Sequence, residues 1–294
     1  MKPYANLHTH STHSDGHYTP ERIVFEAKNE GYKAVAVTDH DTATGFPELK
    51  AACEAQGLET IFGVEFSVLV PDDFHILGFG FDPEYAPMKR YLADMALRQT
   101  DNTLNCFNLA VSKGDIRGIT WAEVLDYNEG VAWICNNHVF RAMLAKGLVE
   151  QKNYAEWFHK NFRNQRALFK PIIQHLPLAD LVKLIKDCGG IALCAHPSQK
   201  QISMLPTLLE CGIQGFEVMH PDLKEDARRN VYNICIENNL FIAGGSDHSG
   251  LCGGGYESYA SEEALKASYH YIAPLSAGTT EHHFRELLAQ KINR

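Results

Sequence analysis

The first apolar run of the chain ends in Asn6-Leu7-His8-Thr9-His10, with two imidazoles one residue apart. Side chains alternate in direction along an extended strand, so His8 and His10 face one way while Leu7 turns into packing. Such a pair can hold one transition-metal ion, although alone it fits two surface histidines equally well. The pattern recurs, however. Residues 34–38 run into Asp39-His40-Asp41, residues 60–68 carry Glu65 in a largely apolar stretch, His196-Pro197 follows residues 191–195, and Asp247-His248 follows residues 241–245. A carboxylate inside an apolar strand is costly unless it is paired or bound to metal. Histidine makes up 15 of the 294 residues and is clustered, which points to the same chemistry.

The elements that must bring these residues together follow from periodicity. Short apolar runs at 4–8, 34–38, 60–68, 74–80, 191–195, 215–219 and 241–245 read as strands. Helical patterns lie between them at 20–29, 46–56, 178–187, 204–211 and 223–238, the first opened by Thr19-Pro20 as N-cap and first-turn proline. This alternation predicts a parallel sheet or a closed barrel, and seven strands suggest a barrel one short of the usual eight. In such barrels the loops after the strands form one rim, where functional groups gather. The alternation stops between residues 81 and 171, where the patterns at 87–113, 121–128, 138–145 and 154–161 are helical only. The expected organisation is therefore a barrel domain over 1–81 and 172–294, with a helical insertion domain over 82–171. Further helices are expected at 262–271 and 281–292, after a loop at 250–255.

Hydrophobic residues at 45% and charged ones at 21% suit a globular chain with a full core. No apolar run approaches the ~18–20 residues of a membrane span. The first residues lack the apolar segment of a signal peptide, so a soluble, cytoplasmic protein with no membrane partner is expected. A net charge of −9 disfavours duplex nucleic acid. The eight cysteines include no C-x-x-C pair and read as reduced core thiols, Cys194 among them. Nothing here fixes the oligomeric state.

Taken in order, His8-Thr9-His10-Ser11 with Ser14-Asp15-Gly16, Thr38-Asp39-His40-Asp41, Gly63-Val64-Glu65, His75-Ile76-Leu77-Gly78, Ala195-His196-Pro197 and Gly245-Ser246-Asp247-His248 resemble the successive motifs of the PHP (polymerase and histidinol phosphatase) phosphoesterases. The matching segments cover most of residues 1–80 and 175–250. The resemblance implies an α/β fold, a distorted (β/α)7 barrel carrying a helical insertion domain, and three divalent metal ions. His8, His10, Glu65 and Asp247 would hold the first ion. Glu65, His75 and His196 would hold the second, and Asp15, His40 and His248 the third. Mixed nitrogen and oxygen ligands suit Mn, Fe or Zn, whereas this many imidazoles argue against Mg or Ca. Asp39 is expected to orient a ligand imidazole, and Asp41 to cap the following turn.

Two ions about 3.5–4 Å apart can hold a bridging hydroxide and neutralise phosphoryl oxygens, so no serine or cysteine nucleophile is required. Glu65, Asp247 and His220 are the expected catalytic residues. His220 follows the sixth strand on the same rim, where it could contact phosphate or protonate a leaving group. Asn137-His138-Val139-Phe140-Arg141 resembles a helix start in the phosphatase branch, and His138 and Arg141, three apart, share a face. Both are expected substrate-binding residues, with His220. Where relatives often show Gly-Arg-Pro-His, this chain has Asn136-Asn137-His138, a loss that Arg163 or Arg166 could offset. The expected substrate is a small anionic phosphomonoester of nucleotide type, such as a nucleoside monophosphate or a 3′,5′-bisphosphonucleotide. The alternatives are a 5′→3′ exonuclease on short RNA oligonucleotides and a histidinol phosphate phosphatase. A metal-dependent amidohydrolase also starts with H-x-H, but Asp15, His40 and His248 would have no role in it.

Overall fold

The computed structural model describes residues 3–69, 74–164, 174–252, 259–268, 271–272 and 277–292. Its strands are β1 (Ala5–Asn6), β2 (Ala34–Val35), β3 (Gly63–Ser67), β4 (His75–Phe79), β5 (Ile191–Cys194), β6 (Gly215–Met219) and β7 (Phe241–Gly244). The fold is mixed α/β. Strands β5, β6 and β7 run parallel, as the intervening helices require. Strand β4 departs from the expected parallel order, running antiparallel to both β3 and β5. Only residues 68–74 link β3 to β4, and a parallel crossover needs a dozen or more.

The described strands form two sheets, β1-β2 and β3-β4-β5-β6-β7, so the expected closed barrel is not what the regular pairing draws. Single bridges link residues that lie in or flank the two sheets: His40 with Glu65 and Ala34 with Glu59 on one side, Thr9 with His248 on the other. The Leu7 N–H also donates to the Gly244 carbonyl at 3.1 Å. Gly245 permits this approach, because a Cβ there would stand 2.3 Å from the His8 backbone nitrogen.

Alternation along the strands separates two cores. Val64, Phe66 and Ile76 pack with Val182, Ile185 and Val231 of the covering helices. Leu77, Phe79 and Leu193 point the other way, packing with Leu7, Ala36 and Phe284. Glu65 and His75 share this second, inward face, so the apolar interior ends in a polar tip. The helix Pro20–Asn29 begins as expected, with the Thr19 hydroxyl accepting the Arg22 N–H at 3.3 Å. The helices Ala86–Lys113, Trp121–Tyr127, Asn136–Ala145 and Tyr154–Phe158 contribute to a separate cluster around Phe107, Val124, Phe140, Tyr154 and Trp157, which also takes in Cys252. Residues 154–161, expected as one helix, switch at His159 to a π-helical turn that ends at Arg163. Arg166 and the expected boundary at 171/172 lie outside the described residues, as do parts of the expected loop at 250–255 and of the helix at 262–271.

All eight cysteines are free thiols, and Cys194 is fully buried in β5 with burial pushing its pKa up. Among the described residues no helix is long and apolar enough to cross a membrane.

Candidate metal centre

Residues from six separate strand ends meet above the inward face. His8 and His10 follow β1, His40 follows β2, Glu65 lies in β3, His75 opens β4, His196 follows β5 and Asp247 follows β7. Nε2 of His8 lies 3.2 Å from Nε2 of His10, 3.3 Å from Glu65 Oε2 and 3.5 Å from Asp247 Oδ1. Nε2 of His10 lies 3.2 Å from the same Glu65 oxygen and 3.0 Å from the same Asp247 oxygen. Glu65 turns its other oxygen outward. Oε1 is 3.0 Å from His75 Nδ1 and 2.9 Å from His196 Nε2, and those nitrogens are 3.4 Å apart.

Ligand atoms bound at about 2.0–2.2 Å in a tetrahedron stand roughly 3.3–3.6 Å from one another. These spacings, from 2.9 to 3.5 Å, lie within that range or a few tenths of an ångström below it, so the donor sets fit two transition ions bridged by one carboxylate. Around Asp15 the geometry is looser. Asp15 Oδ2 is 3.9 Å from His40 Nε2, and Oδ1 is 3.6 Å from His10 Nδ1. The His248 ring is not gathered into this group. It packs against the rings of Tyr18 and Tyr271, with centroids 5.0 and 5.8 Å away.

The crowding sets the charges. Burial opposes charge on His8, but the carboxylates of Glu217, Glu65 and Asp247 hold its pKa well above the ordinary value. His10 is raised likewise against burial, by Asp247, Glu65 and Asp15. Burial would raise Glu65, yet the imidazoles of His8, His75 and His40 hold it well below the carboxylate range, and Asp247 is depressed in the same way by His8, His10 and His220. Access is one-sided. His8 and His10 are fully buried, whereas the side chains of His40, His75, His196 and Asp247 keep 20, 22, 20 and 27% of their surface. Asp41, His196 and Asp247 have φ of 49°, 25° and 52°, a region most side chains avoid, and all three lie at this site.

Several expected roles change. Among the described residues Asp39 meets serines and not an imidazole. It accepts the Ser11 N–H at 2.7 Å and the hydroxyls of Ser11 and Ser14 at 2.7 and 2.6 Å, bracing the loop that carries Asp15. Asp41 caps the end of β3 rather than its own turn, accepting the Ser67 N–H at 3.0 Å. His138 and Arg141 face that same loop. His138 Nδ1 accepts the Cys135 N–H at 2.9 Å while Nε2 reaches the Thr12 carbonyl at 3.0 Å, so both ring nitrogens are occupied by backbone. Arg141 donates to the carbonyls of Gly16 and Thr12. His220 is fully buried behind Asp247. Its Nδ1 accepts the Asp222 N–H at 3.2 Å, and its Nε2 faces Asp247 Oδ2 at 3.5 Å.

Sequence reasoning missed Glu217. This carboxylate is fully buried, with both oxygens 3.1 Å from His8 Nδ1. The signal was present, because Gly215-Phe216-Glu217-Val218-Met219 places a carboxylate inside an apolar strand as the Glu65 segment does.

The profile of the PHP domain matches residues 6–171. The phosphoribosyl 1,2-cyclic phosphate 1,2-diphosphodiesterase of Eggerthella lenta is 29% identical over 256 residues, covering 84% of this chain and 95% of that protein. A 5′-3′ exoribonuclease of Haemophilus influenzae is 29% identical over 260 residues, covering 84% and 90%. The crystal structure of a Bifidobacterium adolescentis protein described as a metal-dependent phosphoesterase superposes with a TM-score of 0.77 at 23% identity, over 100% of this chain and 99% of that one.

Proposed function

The chain belongs to the PHP domain family, and from that premise we propose that it is a metal-dependent phosphoesterase acting on a small nucleotide-like phosphomonoester. The observation that carries this reading is Glu65, one oxygen of which completes the His8–His10–Asp247 group while the other completes the His75–His196 group. We assign the first ion to His8, His10, Glu65 and Asp247, the second to Glu65, His75 and His196, and a third to Asp15 and His40, toward which His248 would have to turn from the Tyr18 and Tyr271 rings to complete the set, with Mn, Fe or Zn as the candidate metals. Ions held there would supply Lewis acidity toward the phosphoryl oxygens and lower the pKa of a coordinated water.

The protein's own groups do the rest. Glu65 fixes the separation of the two groups through one rigid carboxylate. The partly exposed side chains of His40, His75, His196 and Asp247 define the face by which an ester enters, and the sealed pair His8 and His10 closes the opposite side. Because His220 Nδ1 accepts the Asp222 N–H, the proton of its neutral ring sits on Nε2 and points at Asp247, placing His220 behind a ligand rather than against a leaving group. His138 and Arg141 act on the loop carrying Asp15. We also read the two sheets as one distorted ring of seven strands, joined through the single bridges at His40 and Thr9, with residues 82–171 as a helical insertion.

The Haemophilus relative's name favours a second reading, a 5′→3′ exonuclease on short RNA. One assay separates them. Phosphate release is followed from 5′-AMP, a 3′,5′-bisphosphonucleotide, histidinol phosphate and a short 5′-phosphorylated RNA, with Mn²⁺ and after chelation, beside His8→Ala. Chelator-sensitive release from one monoester, absent in His8→Ala, is the expected result. Stepwise shortening of the RNA with poor monoester turnover selects the exonuclease. No turnover of any substrate, with no metal taken up, refutes the enzyme reading.

A further inference from the structure

Glu217 lies in β6 between Phe216 and Val218, which both pack into the outer core, so alternation turns its side chain inward. There it meets one member of each main ligand group. Its two oxygens lie 3.1 Å from Nδ1 of His8, and Oε2 also accepts the backbone N–H of His196 at 2.9 Å. His8 belongs to the four-residue group and His196 to the three-residue group. His196 is also a non-glycine residue at φ 25°, so its N–H points to the carboxylate from a backbone conformation that needs outside support.

We propose that Glu217 is a positioning residue shared by both ions, a role that rests on the two-ion reading above. Accepting the Nδ1 proton of His8 leaves the lone pair on Nε2, the atom that faces His10, Glu65 and Asp247. Accepting the His196 N–H fixes the backbone from which that imidazole reaches Glu65 Oε1. One carboxylate therefore sets a ring tautomer in the first group and a main-chain conformation in the second. Glutamine has the same shape but a single acceptor oxygen, and its NH2 would oppose one of the two N–H groups. Glu217→Gln is thus a substitution of sign rather than of size.

The test is Mn²⁺ uptake by the full chain, measured by equilibrium dialysis with metal analysis, for wild type and Glu217→Gln. Affinity for both ions is expected to fall about 10–100-fold, the range typical of lost outer hydrogen bonds to metal ligands. A merely structural role would lower the melting temperature of the chelated protein without weakening these two ions selectively. In zinc-loaded wild type the His8 Nδ1 proton, donated to a carboxylate, is expected far downfield by NMR. That measurement stands even where Glu217→Gln does not fold. Wild-type affinities for both ions in Glu217→Gln, weakening of one ion alone, or a missing downfield His8 proton overturns the proposal. Failure of the two-ion reading is distinguishable, because wild type itself would then take up no Mn²⁺ pair.

Discussion

The side-chain amide of Asn137 donates to the backbone carbonyl of Asp15 at 2.6 Å, and the same nitrogen reaches the Cys252 carbonyl at 2.9 Å. One amide thereby ties the loop after β1 to the loop after β7, while its own oxygen accepts the Tyr154 hydroxyl. With His138 and Arg141 on the carbonyls of Thr12 and Gly16, the helix Asn136–Ala145 fastens the segment that presents Asp15.

Asn137→Ala leaves two carbonyls without that donor, at a cost of about 1–3 kcal/mol for each that stays buried. We expect a lower urea midpoint and a higher Mn²⁺ concentration for half-maximal turnover, with KM at saturating metal little changed. A raised KM with unchanged metal demand would place Asn137 on the substrate instead.

Glu65→Gln removes the charge shared by both groups. Metal analysis of the dialysed protein should show both ions lost together, with turnover at background. Retention of one ion at wild-type affinity would show that the groups are independent.

Gly245→Ala drives a Cβ to within 2.3 Å of the His8 backbone nitrogen. Overpacking of this kind costs about 1–3 kcal/mol. Because the atom struck belongs to a ligand, Mn²⁺ affinity is expected to fall as well. Thermal melting with and without metal separates the two effects, and an unchanged metal-induced gain in stability would refute the second.

Chelated protein should have a stability window bounded on both sides. Glu65 and Asp247 are held well below their ordinary range, so the stability they add is present above ~4 and is lost as pH falls through their depressed values. His8 and His10 are raised well above theirs, so their contribution is full below ~6.5 and is lost as pH rises through the raised values. With Mn²⁺ the upper loss should reverse, because metal binding displaces those protons and tightens with pH. Melting curves across pH with and without chelator check the crossing, and parallel curves would contradict it.

The legible parts were those set by local pattern. Thr19-Pro20 marked a helix start to the residue, and histidines at strand ends marked the centre, because alternation and capping act over a few positions. His75 could be named only by resemblance, since a histidine at the beginning of a strand carries no local mark of its role. Asp39 reads as the partner of a ligand imidazole, but its hydrogen bonds run to Ser11 and Ser14, far off in sequence. His138 and Arg141 looked like phosphate contacts because the chain gives no sign that backbone carbonyls from residues 12–16 would occupy them. The antiparallel β4 was legible in principle from the short 68–74 link, a length constraint that the strand–helix rhythm obscured.

His8 and His10 are wholly enclosed, whereas the side chains of His75, His196 and His40 are partly exposed. Asp247 is the one ligand of the first group that keeps exposed surface, so an ion there can exchange only on that side, and its residence time should exceed that of its neighbour. The inner position would then keep a record of the metal supply at the moment of folding, and the outer one would follow the buffer. A preparation holding two different metals would be a matter of kinetics and not of preference.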